Sequence, residues 1–492
     1  MPLRRLLSVL AICMPHAADA RGPVVLSTLD GSLTVEGELL SYDGEFFRVA
    51  TAFGELTMDG GNLRCSGAGC PDPVELVARA RIGGPSDMIH RLMPALLEVF
   101  ADLNGLGYVR RYHGDDNVSW ELTDPASGRL MAVFEGQVES DENALVLLAS
   151  RELDISIGRS EARDDIRQDV IALDALVPVV APENPRVLVT LGQLGGLLSG
   201  RIATWQRLGG ADLPVALHLP EKMGPAASRL TPRGGFAEAT RHPEPSDLAD
   251  AVAADPAALG LVPYSALGNT TPLVVSGACG LATPATRDSI RAEDYPFIQP
   301  MFLQRIGARQ PKLIRDFLGF ARSPEAQPVI RATGFVDQEI GRIGFERQGD
   351  RIAAAVLSAG DDPAAMTAVR DLIAALMRAE RLTFTFRFRD GESTLDPHSA
   401  SNVLWLADAI GRGEFDGREL VFVGFSDGVG EADANLRLSE RRARSVRRAV
   451  AARVVGEPVT LAVEAFGEIM PVACDDTPWG GQINRRVEVW LR

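Results

Sequence analysis

Lysine is nearly missing from this sequence: of 50 basic residues only Lys222 and Lys312 are lysines, and 66 acidic residues leave a net charge of −16. A chain this acidic does not present a nucleic-acid-binding surface over most of its length. Apolar runs of the roughly 18 residues that a bilayer demands are missing too. Histidine is scarce, with six residues and none clustered with the cysteines, which argues against a zinc site. What remains is ordinary globular material, 46% apolar and 24% charged. Its 492 residues are enough for roughly two to four domains.

The first twenty residues have a secretory shape. Arg4 and Arg5 precede the short apolar run Leu6 to Met14, and Ala18-Asp19-Ala20 forms a cleavage site, so residues 1–20 are expected to be a signal peptide and the mature chain to be periplasmic. In that oxidising compartment Cys65, Cys70, Cys279 and Cys474 are an even set. Cys65 and Cys70 close the glycine-rich loop CSGAGC and are the expected disulfide; pairing of Cys279 with Cys474 is left open.

Four segments follow the leader. Residues 21–77 alternate short apolar runs with Asp30-Gly31, Asp43-Gly44 and Gly54, the pattern of a small β-module made of hairpins. Residues 78–340 alternate strand-like and helix-like stretches, an α/β layering too long for one core and therefore expected to form two lobes. Residues 341–380 read as a helical connector. Residues 381–492 read β-α-β-α-β-β, opening on Thr383 to Phe388 with Phe384, Phe386 and Phe388 on one face.

Gly424-Phe425-Ser426-Asp427-Gly428 has the spacing of a hydrolase nucleophile elbow. That chemistry needs a histidine downstream of the serine, and the last histidine, His398, lies upstream. The same residues fit another pattern. Gly424-Phe425-Ser426-Asp427, Asn435, Leu438-Ser439, Arg442-Ala443, Val446, Gly467-Glu468, Pro471 and Asn484 to Glu488 stand in order, and this resembles the OmpA-like peptidoglycan-binding domain over about 110 residues. The resemblance implies non-catalytic binding of the diaminopimelate-containing peptide, with Asp427 and Arg442 holding the ligand and Ser426, Asn435 and Arg485 supporting them. A carboxylate suits the ligand ammonium, and a guanidinium grips its carboxylate through a charged fork. Phe425-Ser426 stands where the family often has His-Thr.

The central block resembles the phosphate-binding-protein type of periplasmic solute-binding domain. The matching residues include Gly83-Gly84-Pro85-Ser86, Leu153 to Ser160, Pro182 to Pro185, Ser199 to Trp205, Leu259 to Tyr264 and Asp294-Tyr295-Pro296. The resemblance implies an oxyanion in the interlobe cleft. Ser86, Asp87, Arg159 and Ser160 are the expected contacts, Ser86 and Asp87 opening a helix whose N-terminus favours anions; as a simpler role they cap that helix. His218 to Ser228 replaces the family's hydroxyl-rich loop.

The fold expected is therefore a multidomain α/β and α+β chain: a small β-module, a two-lobed solute-binding-protein-like domain and a C-terminal OmpA-like domain. The function expected is binding, not catalysis. The chain would be a periplasmic protein at the cell wall or outer membrane whose central domain takes phosphate or another small anion. The alternative is an anchored structural protein that has lost its small ligand. The partners expected are peptidoglycan and an envelope protein, without nucleic acid, metal or cofactor.

Overall fold

The structure, a computed structural model, describes residues 22–71, 76–307, 310–389, 394–456, 459–475 and 477–492. The expected signal segment lies outside the described residues. The chain divides into two compact units.

One unit draws on Met1–Ala80, Phe100–Glu135 and Ala308–Gly319. Its first part is a five-stranded antiparallel sheet of strands Pro23–Thr28, Thr34–Tyr42, Phe46–Thr51, Gly54–Asp59 and Leu63–Ser66. The turn signals fall between these strands, as hairpin chemistry requires. Val24, Leu26, Leu39, Phe47 and Val49 form its small core, and a disulfide joins Cys65 to Cys70 beside it. A core of five buried residues is thin for an independent fold, and a crosslink is the usual supplement. The second part holds the hairpin Gly107–Tyr112 with Asn117–Thr123 and the edge-to-face contacts of Phe317 with Phe100 and Phe134.

The other unit, Arg81–Val99, Gly136–Gly307 and Phe320–Arg492, contains the remainder of the α/β domain, with parts of both lobes, and the C-terminal domain. In the first lobe, strand Ala78–Gly84 lies parallel to Ile155–Gly158. The long strand Arg167–Val180 carries the chain into the second lobe, and Ile298–Arg305 returns antiparallel to it. In the second lobe, Ala216–Pro220, Thr240–His242 and Ala258–Pro263 extend the sheet past Val180. Val170 to Val180 is buried on both faces, which explains why it is apolar except for Asp174.

The C-terminal sheet runs in the order Arg342–Gly344, Glu380–Arg387, Arg486–Leu491, Glu419–Gly424, Thr460–Ala465. Helix Ala432–Ala451 supplies the crossover that the parallel pair Glu419–Gly424 and Thr460–Ala465 needs. Helix Pro397–Gly411 starts on Asp396, whose Oδ1 accepts from Ser399 N at 2.7 Å, with proline in the first turn. Phe384, Phe386, Phe422 and Val489 meet these two helices on one face. Val421, Val423 and Trp490 meet helices Gly349–Ala359 and Pro363–Leu376 on the other. The segment 341–380, expected as a helical connector, is helical in part, but it also adds an edge strand and covers the second face of this sheet.

Candidate functional site

The C-terminal candidates gather where helix Ala432–Ala451 passes over the ends of the strands. Glycine makes that approach feasible. A side chain at Gly424 would collide with the Ser439 carbonyl oxygen and lie 2.7 Å from its carbon. Gly467, in a left-handed turn, donates its N–H to Ser439 Oγ at 3.2 Å. The helix therefore sits flat on the sheet and carries Asn435 and Arg442 toward the loop that holds Ser426 and Asp427.

Each expected residue has a definite place there. Asp427 Oδ2 accepts from Arg485 Nη1 at 2.7 Å, so these two form an ion pair at the site's edge. Asn435 donates to Glu468 Oε2 at 2.8 Å. Ser426 donates its N–H to the Gly467 carbonyl at 2.7 Å. Its hydroxyl is buried and has no hydrogen-bond partner among the described residues, and the same holds for Arg442 Nη1. The Arg442 guanidinium lies 5.4 Å from the centre of the Phe388 ring. Burial, then the neighbouring Arg485, push the Arg442 pKa below its ordinary value, while Asp427 acts in the opposite direction. The arrangement is one carboxylate, two guanidiniums and a spare hydroxyl, with Ser426 and Arg442 buried and Asp427 and Arg485 partly exposed. Such a set can grip a small ligand that carries both an ammonium and a carboxylate.

The sequence reading missed the scaffold of this loop. Asn484 Oδ1 accepts from Val472 N and Ala473 N, and its amide donates to Asp475 Oδ1 at 2.9 Å. Asp475 Oδ2 in turn accepts from Gly428 N at 2.9 Å. Asn484 was visible in the Asn-Arg-Arg motif, but nothing local marked Asp475, and Phe388 was marked only as a core residue of its strand.

The central candidates are arranged differently. Arg159 follows strand Ile155–Gly158 and makes an ion pair with Asp87. Asp174 Oδ2 lies 3.7 Å from it, and Asp141 Oδ1 takes its backbone N–H at 2.5 Å. Burial alone would lower the Arg159 pKa, but Asp87 and then Asp174 overcome it and hold the pKa above its ordinary value. Burial pushes the Asp141 and Asp174 carboxyls upward in spite of Arg159. Across the cleft, Arg91 donates to the Ser265 carbonyl and hydroxyl at 3.2 and 3.1 Å, and Ser265 donates to Asp174 Oδ2 at 2.8 Å. A side chain at Gly224, in the segment that replaces the hydroxyl-rich loop, would strike Gln299 and come within 3.3 Å of Arg159 Cδ. Asp87 makes no side-chain cap to the helix it opens, where the chain winds as a wide turn over Met88–Leu92 before the α-helix Met93–Leu103. Ser86 and Ser160 lie half-buried nearby. The structure thus brings Asp87 and Arg159 together, but as each other's partners. Asp141, Asp174, Arg91 and Ser265 were not foreseen, because they come from four separate stretches of chain.

Comparison with known proteins agrees with the C-terminal geometry. Residues 387–485 match the OmpA family, so this part of the chain is an OmpA domain. The Escherichia coli K12 "Probable lipoprotein YiaD" is 31% identical over 104 residues, which are 21% of this chain and 46% of that protein. The Pseudomonas aeruginosa "Outer membrane porin F" is 29% identical over 151 residues, 31% of this chain and 43% of that protein. The chain spans less than half the length of these curated relatives. Among solved structures, an ABC-type phosphate transport receptor from Vibrio cholerae is 19% identical, covering 52% of this chain and 99% of its own with a TM-score of 0.39. The peptidoglycan-associated lipoprotein of Burkholderia pseudomallei is 22% identical, covering 22% and 89%, with a TM-score of 0.20.

Proposed function

We propose that the protein is a non-catalytic component of the bacterial envelope that attaches to the cell wall through its C-terminal domain. The observation that carries this reading is the pair of buried, unpartnered donors, Arg442 Nη1 and Ser426 Oγ, beside the Asp427 carboxylate. A buried donor without an acceptor costs about 1–3 kcal/mol, and a ligand carboxylate placed there recovers it. Asp427 and Arg485 take the ligand's ammonium and its remaining polar groups; Asn435 steadies the helix end. The ligand is the diaminopimelate-containing peptide of peptidoglycan. Co-sedimentation with purified diaminopimelate-type peptidoglycan tests it: the chain pellets with the wall material, and Asp427→Ala stays in the supernatant. Equal pelleting of both would remove the assignment.

For the central domain, the cleft favours the reading without a small ligand. Phosphate at Ser86, Asp87, Arg159 and Ser160 would have to displace Asp87 from Arg159 and lie near Asp141 and Asp174. Two carboxylates at the guanidinium, with Asp141 at the backbone N–H of the same residue, repel a second anion. We therefore propose that this domain acts as a scaffold for an envelope protein. Thermal unfolding with and without phosphate decides between the readings, since a ligand at a hundred times its Kd stabilises by about 2.7 kcal/mol. The scaffold reading expects no shift.

A further inference from the structure

We infer that the C-terminal domain is a strap fastened across both lobes of the central domain, so that the lobes keep one fixed arrangement, with Cys279–Cys474 as its covalent latch. Two-lobed domains of this kind connect through their crossing strands, here Arg167–Val180 and Ile298–Arg305, and hinge closure bends such connections. The strap grips both sides of that hinge.

On the first-lobe side, Arg389 donates to Asp164 Oδ1 at 2.9 Å and Glu161 Oε1 at 3.4 Å, Val170 N on the hinge strand donates to Ser401 Oγ at 3.2 Å, and helix Pro397–Gly411 packs along that strand. On the second lobe, the grip is denser. Arg381 forks onto Asp294 at 2.5 and 2.9 Å. Thr385 Oγ1 donates to the Ala292 carbonyl at 2.5 Å. Arg387 donates to Glu293 Oε2 at 3.0 Å and to its carbonyl at 2.6 Å. Glu293 holds a left-handed backbone with φ of 58°, a conformation a non-glycine residue keeps only when its surroundings impose it. The Cys279–Cys474 disulfide then ties this lobe to the loop before helix Pro478–Asn484.

The chemistry of this seam is that of an interior. A tethered domain needs a polar, flexible linker and a hydrated contact surface. Here strand Arg342–Gly344 joins the C-terminal sheet a few residues after the buried Asp337 and Gln338. Arg381, Arg387, Glu293 and Glu488 are all buried. Parting them would leave charges without partners in a dry site, which is the costly way to break such a network. The lobes are also bridged across their cleft by Arg91 and Ser265. This inference does not rest on wall binding: it describes a fixed body in place of an opening and closing receptor.

Spin labels on the exposed residues Glu152→Cys, in the first lobe, and Arg207→Cys, in the second, test it in the full chain. The proposal expects one narrow distance, unmoved by inorganic phosphate. It also expects the distribution to broaden and lengthen when Cys279→Ser and Cys474→Ser are added. Two distances in the otherwise native chain, or a shift with phosphate, would overturn the strap. An unchanged distribution in the serine variant would overturn the latch. The native measurement needs no seam substitution, so it stands even if the serine variant does not fold. Amide exchange in Arg167–Val180 gives a second reading, expected to speed up about tenfold in the folded serine variant.

Discussion

Replacing Gly424 by alanine tests the packing that builds the proposed wall site. Gly424 ends strand Glu419–Gly424, and helix Ala432–Ala451 lies directly over it. An added methyl would overlap the Ser439 carbonyl oxygen, sit 2.7 Å from the carbonyl carbon and reach within 3.3 Å of the Ala443 Cβ. The obstacle is helix backbone, which cannot rotate away, so the helix must lift by roughly 1 Å in a core packed to crystal-like density. Overpacking of this kind costs about 1–3 kcal/mol, and a rigid obstacle puts Gly424→Ala at the upper end. Arg442 rides on the same helix and would lose its alignment with Ser426 and Asp427, so wall affinity should fall about tenfold, or 1.4 kcal/mol. Gly411 is the matched control: it ends helix Pro397–Gly411 with nothing within 4 Å of an added methyl. Gly411→Ala should be neutral or stabilising by up to about 1 kcal/mol. Urea unfolding, with amide exchange to locate the C-terminal domain, reads both. A Gly424→Ala chain with native stability and native wall binding would refute the close helix–strand contact.

Other consequences follow from the buried charges and the crosslink. Glu488→Gln keeps the shape of the side chain but removes the charge facing Arg351 and Arg486, which approach it at 2.5 and 2.7 Å, and should cost about 3–5 kcal/mol in thermal unfolding. Burial pushes the Glu488 and Asp294 carboxyls upward, but Arg351 and Arg381 for the first, and Arg381 for the second, bring both below their ordinary range. Their stabilisation is therefore complete above the unfolded carboxylate pKa, near 4; it declines below that value and is lost as the pH falls through the lowered folded-state pKa. The native chain should lose stability below about pH 5 more steeply than Glu488→Gln does, and parallel pH profiles would contradict this. Cys279→Ser with Cys474→Ser removes a link spanning 195 residues, for which chain-entropy arguments give about 5 kcal/mol. An unfolding midpoint unchanged by that pair would show that the crosslink does not restrain the unfolded chain.

Local pattern revealed much of this molecule and stopped where contacts become non-local. The alternation through Thr383 to Phe388 placed the phenylalanines on one face correctly. It said nothing of the opposite face, where Arg381, Thr383, Thr385 and Arg387 are buried as well. A polar stripe on a strand ordinarily faces water; here its partners are Ala292, Glu293 and Asp294, nearly a hundred residues away. The stretch Leu188 to Leu198 shows the same limit on a smaller scale: it divides into strand Leu188–Thr190 and helix Leu191–Leu198 at the Thr190 capping box. At the proposed wall site, Ser426, Asp427, Asn435, Arg442 and Arg485 were named through the resemblance to the OmpA-like pattern. Their mutual arrangement depends on Gly424 and Gly467, whose importance appears only when the helix is seen resting on them. In the central cleft, Arg159 was legible as a charge near a strand end. Its carboxylate neighbours were not, because Asp87, Asp141 and Asp174 come from three different elements.

Calorimetric titration of the full chain with a soluble diaminopimelate-containing peptide, set beside Arg442→Ala, tests wall attachment most directly. Wall attachment through this site requires saturable binding by the native chain and a loss of at least about tenfold in Arg442→Ala, with the unfolding midpoint retained. Equal affinity in the two, or no binding by a folded native chain, would contradict it.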